Sequence, residues 1–260
     1  MTTVSADKSR QANIIGALVI RELHSRFGRH NVGFLWVIGE PLLLAFVIGS
    51  LHAFQPAHIG SQMNPVAFAI IGYTIFIIFR GIFGRAESLL EANQTLLYHQ
   101  MISILNLSVA RVVVETAGCF CAMAILLGAT ISLGLCELPA RPLYLLAAIG
   151  AMTLLAFGMG LIVTALSYER PTIGRLVHPV NYFMMPASGA FFAVDWLPPD
   201  WREIVLWNPM VIIFEYARYG MFEGASQTYL YPGYLIGSIA VSLYIGLVAV
   251  RRVRAHVHIN

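Results

Sequence analysis

Residues 65–84 read Pro-Val-Ala-Phe-Ala-Ile-Ile-Gly-Tyr-Thr-Ile-Phe-Ile-Ile-Phe-Arg-Gly-Ile-Phe-Gly, and Arg80 is the one charge among them. At a rise of about 1.5 Å per residue, a helix of this length matches a hydrocarbon core about 30 Å thick. Five more stretches read the same way, at 33–54, 112–135, 143–167, 172–194 and 233–250. The composition agrees. Of 260 residues, 58% are apolar and 11% charged, where a soluble globular protein carries about 25% charged residues. A soluble enzyme, a disordered chain and a disulfide-stapled secreted domain are excluded. The expected fold is an all-α integral membrane protein of six transmembrane helices, a single domain over 1–260.

The segments between the spans carry the rest of the reading. Lys8 and Arg10 before an apolar run imitate a secretory signal, but Arg21-Glu22 ends that run without a cleavage pattern. Ile15, Val19, Leu23 and Phe27 instead form a helical stripe, so 1–32 is expected as an amphipathic interface helix. Residues 85–111 place Glu87, Glu91, Tyr98 and His99 among leucines, the pattern of a short amphipathic helix. Residues 195–231 hold Trp196, Trp201 and Trp207, rings that favour a membrane boundary. Met210–Phe222, interrupted by Glu215 and Arg218, is too short and too charged to span, and reads as interfacial or re-entrant. Prolines 41, 179 and 186 are expected to bend their helices.

Charge sets the expected orientation. With the N-terminus in the cytoplasm, thirteen of the sixteen basic residues fall on the cytoplasmic side, which predicts both termini inside. Fifteen of the sixteen are arginine, and the lone Lys8 has no glycine-rich loop before it, so a phosphate-binding loop is absent from the sequence. The three cysteines have no metal-ligand spacing with histidine and read as apolar packing. No metal, hydrolase or nucleic-acid-binding pattern stands out.

Several residues admit two readings. Glu40, Glu115 and Glu215 lie in or beside apolar stretches, where a charge needs a partner or a wet cavity. They are proton carriers, or carboxylates paired with a cation. The first reading makes the chain a proton-coupled secondary transporter or channel using Glu40 and Glu115. Phe34, Trp36, Tyr73, Phe76, Tyr182 and Phe183 either flank a sugar path or face lipid and core. Arg26, Arg29, Arg80 and Arg85 either capture an anion at the cytoplasmic mouth or set topology by attraction to anionic lipid. His178, beside Pro179, reads as packing.

The run Arg21-Glu22-Leu23-His24-Ser25-Arg26-Phe27-Gly28, then Val32-Gly33-Phe34-Leu35-Trp36 up to Glu40-Pro41, resembles the opening of ABC-2 polysaccharide-export permeases. It departs from that pattern at Phe27 and Val32. Trp207-Asn208-Pro209-Met210 before Glu215-Tyr216-Ala217-Arg218 is similar to the family's Asn-Pro segment. Size and short tails look most like the capsule-exporting, KpsM-type branch. The resemblance implies a homodimer in the bacterial inner membrane that exports a lipid-linked, acidic polysaccharide. It implies no cofactor on this chain, with ATP and magnesium held by a separate ATP-binding cassette subunit. A periplasmic co-polymerase-type adaptor and an outer-membrane exporter are the further partners implied. By position, 87–103 (with Glu87, Glu91, Tyr98 and His99) would couple to the ATPase, and Trp196, Trp201 and Trp207 would stand at a periplasmic gate.

Overall fold

The computed structural model describes residues 2–27, 39, 43, 47, 63–98, 102–134 and 136–257. Among these residues the chain forms nine α-helices and no strand: α1 (Thr2–Phe27), α2 (Pro65–Phe83), α3 (Gln94–Tyr98), α4 (Ile104–Ser132), α5 (Pro142–Glu169), α6 (Pro171–Ala187), α7 (Pro199–Leu206), α8 (Pro209–Met221) and α9 (Pro232–Val257). Six of the nine begin at proline. A first-turn proline brings the right φ and lacks only an N–H that would go unbonded there. Asn64 caps α2, its side-chain oxygen accepting from the Val66 and Ala67 amides at 2.9 and 3.3 Å. Ser103 and Asn208 cap α4 and α8 in the same way.

Among the described residues, four helices are long and apolar enough to cross a membrane: α2, α4, α5 and α9. The expected span at 33–54 lies outside the described residues. The expected span at 172–194 ends early. Its helix, α6, stops at Ala187 after 17 residues, about 25 Å at 1.5 Å per residue and short of about 30 Å. Pro179 and Pro186 lie inside it, and each removes a backbone donor. The chain then turns at Gly189, whose φ of +88° suits a residue without Cβ.

Helix α2 is the core. Fourteen of its residues are buried, against α4, α5, α6 and α8, so its all-round apolarity fits a surround of protein rather than lipid. Helix α9 lies outside it and packs on α5 through small residues. A Cβ on Gly246 would stand 2.6 Å from the Gly158 carbonyl oxygen, and one on Gly158 would stand 2.7 Å from the backbone of Ser242. Lipid chains are as apolar as leucine, so spanning helices associate by close packing, which small residues permit.

The two ends of this bundle differ. At the arginine-rich end, Leu90, Ile104, Leu161, Ala165, Val250 and Val253 form one apolar cluster. Leu18 of α1 joins Leu89, Leu107 and Ala110 in another. Here the expected stripe of α1 is displaced. Leu18, with Ile14 and Val19, meets the bundle, while Leu23 is exposed. Arg21 and Glu22, expected on the polar side, reach inward to polar partners, the buried Asn93 and the partly buried Arg111. Residues 85–98 depart from a continuous amphipathic helix: they form turns, a 3-10 turn at Glu91–Asn93 and the five-residue α3.

At the opposite end, α8 lies across the bundle. Its beginning meets the last residue of α6, where the Asn208 amide donates to the Ala187 carbonyl at 3.0 Å. Its end meets the first turn of α5, where the Arg141 amide donates to the Gly220 carbonyl at 2.7 Å. Both neighbours are terminal turns at the same end.

Candidate functional site

At the arginine-rich end, a groove of about 260 Å³ opens between α2 and α6. Phe76, Arg80 and Gly84 recur at four-residue spacing on one side, and His178, Asn181, Tyr182 and Met185 occupy one helical stripe on the other. Phe76 is buried in its floor and Tyr182 is exposed on its wall. An Arg80 guanidinium N–H donates to the Tyr73 phenol oxygen at 3.1 Å. The groove thus brings together Phe76, Tyr182, Arg80 and Arg85 of the residues read from sequence, with Tyr73 buried behind Arg80. Phe183 is exposed and outside the lining. Phe34, Trp36, Glu40, Arg29 and His99 lie outside the described residues, as do the side chains of Arg26 and Tyr98.

Acidic side chains organise the groove. Glu115 of α4 is 2% exposed and pairs with Arg85 at 3.2 Å. Gly81 makes room for it, since a Cβ there would stand 2.5 Å from the Glu115 carboxylate. Glu115 therefore sits against a cation, the arrangement of a positioned carboxylate. Glu87, read as a contact for an ATPase, turns into the protein and meets His178 of α6 at 2.9 Å. Glu91 is exposed. Arg111 ties three segments: it pairs with Glu22 of α1 at 3.3 Å and donates to the Arg85 carbonyl at 2.7 Å. Arg21 donates to the Asn93 side chain at 2.5 Å. Helices α1, α4 and α6 are thereby each held to the 84–98 turn by a polar contact. The sequence reading takes His178 as packing and does not single out Asn181, although their spacing to Tyr182 and Met185 places all four on one stripe.

At the opposite end a second cluster closes the bundle. Arg218 and Glu215, one turn apart on α8, are both buried and pair at 2.7 Å. Glu215 also accepts from the Val194 amide at 3.0 Å. Arg218 donates to the Gly189 carbonyl and lies 4.8 Å from the centre of the Phe68 ring on α2. Trp196 stacks on that ring at 5.0 Å. Ala190 lies so close to Gly72 that a Cβ there would strike its carbonyl. One ion pair thus ties residues 189–196 to α2 and α8. Burial, and then the nearby Asp195 carboxylate, push the Tyr229 phenol above its usual range; its oxygen accepts from Arg202 at 3.3 Å. Of the three tryptophans read together, Trp196 belongs to this cluster, while Trp201 and Trp207 are exposed. A larger cavity, about 690 Å³, lies at this end beside Asn64, Glu137 and Glu223. It gathers none of the residues read as candidates.

The described residues contain no group of three or more histidine, cysteine or acidic side chains placed to hold a metal. Paired charges between helices, a groove at one end and a cap at the other suit relative motion of helices. The ABC-2 type transporter family model matches residues 14–222. The chain is 38% identical over 242 residues to the capsule polysaccharide export inner-membrane protein CtrC of Neisseria meningitidis serogroup B, covering 93% of this chain and 91% of that protein. It is 35% identical over 250 residues to BexB of Haemophilus influenzae, a protein of the same description, covering 96% and 94%. The polysialic acid transport protein KpsM of Escherichia coli is 27% identical over 238 residues. With most of its length matched and four helices fit to cross a membrane, the chain belongs to the ABC-2 type transporter family.

Proposed function

We propose that this chain is the permease subunit of an ATP-driven exporter of lipid-linked capsular polysaccharide in the bacterial inner membrane. The observation that carries the proposal is end-to-end similarity, 34–38% over nine-tenths or more of the chain, to proteins described as capsule polysaccharide export inner-membrane proteins. Family membership implies an ATP-binding partner, and the chain's one lysine, Lys8, lies outside any glycine-rich loop. Six spans, with 33–54 and α6 continued by residues 188–194 as the other two, put both termini in the cytoplasm and the arginine-rich end inside. Two copies enclose the path, and a periplasmic adaptor and an outer-membrane exporter receive the polymer.

In this reading, closure of the ATP-binding subunits moves the 84–98 turn and α3, and the groove between α2 and α6 changes width. Arg80 and Arg85 draw the anionic end of an acidic substrate to the cytoplasmic mouth, and Tyr182 offers a ring face to a sugar. The cluster around Glu215, Arg218 and Trp196 forms the outer closure. Support comes from the groove's position beside the 84–98 turn, which continues α2 and is tied to α6 through Glu87–His178 and to α4 through Arg85–Glu115.

The test is genetic and biochemical. Deleting the gene in its host should abolish surface polysaccharide and leave polymer inside the cell, and the wild-type gene should restore it. Arg80→Ala with Arg85→Ala, made in a Glu115→Gln background so that no buried carboxylate is stranded, should lower surface polysaccharide without lowering the amount of protein in the membrane. Surface polysaccharide unchanged by the deletion would refute the function. Polysaccharide unchanged by the two arginine substitutions would refute the capture role alone.

A further inference from the structure

Helix α7 has no buried residue, yet it is not loosely held. Arg202 turns back beneath it, donating to the Leu197 and Asp195 carbonyls at 2.7 and 2.9 Å. That anchorage leaves Trp201, Ile204 and Trp207 exposed at 59, 62 and 80%. Their height along the bundle is fixed by a direct contact: the Tyr234 hydroxyl in the first turn of α9 donates to the Trp207 carbonyl at 2.5 Å. Helix α9 is one of the four apolar enough to span. From Arg251 at its charged end, about 30 Å of hydrocarbon at about 1.5 Å per residue reaches back to Tyr231. Tyr231 and Tyr234 are both exposed there, and Tyr144 is exposed in the first turn of α5 at the same end. Trp201, Ile204 and Trp207 therefore continue a ring of tyrosines at the level where the bilayer ends.

We propose that α7 is a lipid-docking element: Trp201, Ile204 and Trp207 lie in the boundary between headgroups and acyl chains on that side of the membrane. Tryptophan suits this layer because its ring is apolar and its indole N–H keeps a polar partner. Asp200 and Glu203 on the same short helix remain exposed to water and headgroups, which keeps α7 in the interfacial plane rather than deeper. Anchored there, α7 would fix the start of α8, and with it the Glu215–Arg218 cap, to the membrane surface. Trp196, packed on Phe68, has no part in the docking.

The test is tryptophan quenching in vesicles of phosphatidylcholine brominated either near the headgroup end of the acyl chains or near their middle. The full chain is reconstituted as wild type, as Trp201→Phe with Trp207→Phe, and as Trp196→Phe. Bromine near the headgroups should quench wild type and Trp196→Phe strongly, and bromine at mid-chain should quench them less. The double variant should lose most of the shallow-bromine quenching. Equal quenching of double variant and wild type would overturn the proposal. So would mid-chain bromine acting more strongly than shallow bromine on the emission that the double variant removes. If the double variant does not fold, Trp201→Phe and Trp207→Phe are measured singly, and each must remove part of the shallow quenching. If neither does, the two rings face water, a second copy or another protein, and the proposal fails.

Discussion

Arg218→Met tests whether the buried ion pair holds the cap. The substitution keeps most of the side-chain volume and removes the cation, leaving the Glu215 carboxylate buried with the Val194 amide as its donor. Breaking a buried pair by removing one partner costs about 3–5 kcal/mol, because the remaining charge is uncompensated. Set against a typical stability of about 5–15 kcal/mol, that is a large share. Adding Glu215→Gln removes the stranded charge and keeps an oxygen for the Val194 amide. What remains is the Gly189 carbonyl without the donor Arg218 supplied, a cost of about 1–3 kcal/mol. The double variant should therefore be more stable than Arg218→Met alone, a non-additivity expected of groups in contact. Unfolding in mixed micelles, followed by helical circular dichroism, measures all three proteins, and Trp196 emission reports the cap. A cost below about 1 kcal/mol for Arg218→Met, or a double variant less stable than the single one, refutes the reasoning.

Three other outcomes follow from close contacts. Gly81→Leu should drive the Glu115 carboxylate from its place and lower stability by about 1–3 kcal/mol, with loss of export; Gly128→Ala, in open space on α4, is the control and should be neutral or slightly stabilising in the same unfolding assay. Gly246→Val should force α9 from α5 at a similar cost of about 1–3 kcal/mol, read as a lower unfolding midpoint. Glu87→Gln and His178→Gln each remove a half-exposed pair, so they should cost under about 1 kcal/mol in unfolding. In vesicles with the ATP-binding partner they should lower the polymer exported per ATP hydrolysed, and an unchanged ratio would show that this contact carries no coupling.

The apolar runs were legible because a membrane imposes length: 65–84, 112–135, 143–167 and 233–250 each correspond to a long apolar helix. Their ends were not. Helix α4 begins at Ile104, eight residues before the apolar run, because Arg111 finds partners inside the protein, the Glu22 carboxylate and the Arg85 carbonyl. Hydropathy registers lipid, and it cannot register a neighbour. The same blindness hid the ties. Glu215 and Arg218 read as interruptions of a short run, although an acid and a base one helical turn apart could have been read as a pair. Glu115 and Arg85 lie 30 positions apart in sequence, and only folding shows that they meet across Gly81. Of the groove, Arg80, Arg85, Phe76 and Tyr182 were legible as residue types. Their assembly depends on α2 and α6 facing each other, which no periodicity in either helix reveals.

The ties at the two ends differ in stiffness, and burial explains how. At the arginine-rich end, the tie to α6 is the Glu87–His178 pair, in which His178 is mostly exposed and Glu87 is partly so. Water competes for such charges, so an exposed pair is worth about 0–1 kcal/mol and can break and re-form at little cost. At the cap, both Glu215 and Arg218 are buried, and separating them strands a charge at a cost of several kcal/mol. A displacement applied to the 84–98 turn therefore meets low resistance between that turn and α6, and high resistance within 189–221. The compliant joint lies beside the groove, and the cap travels as one piece with α2 and α8. Any shift of that piece would have to slide past α5, where a Cβ on Gly220 of α8 would stand 2.5 Å from the Leu145 amide nitrogen.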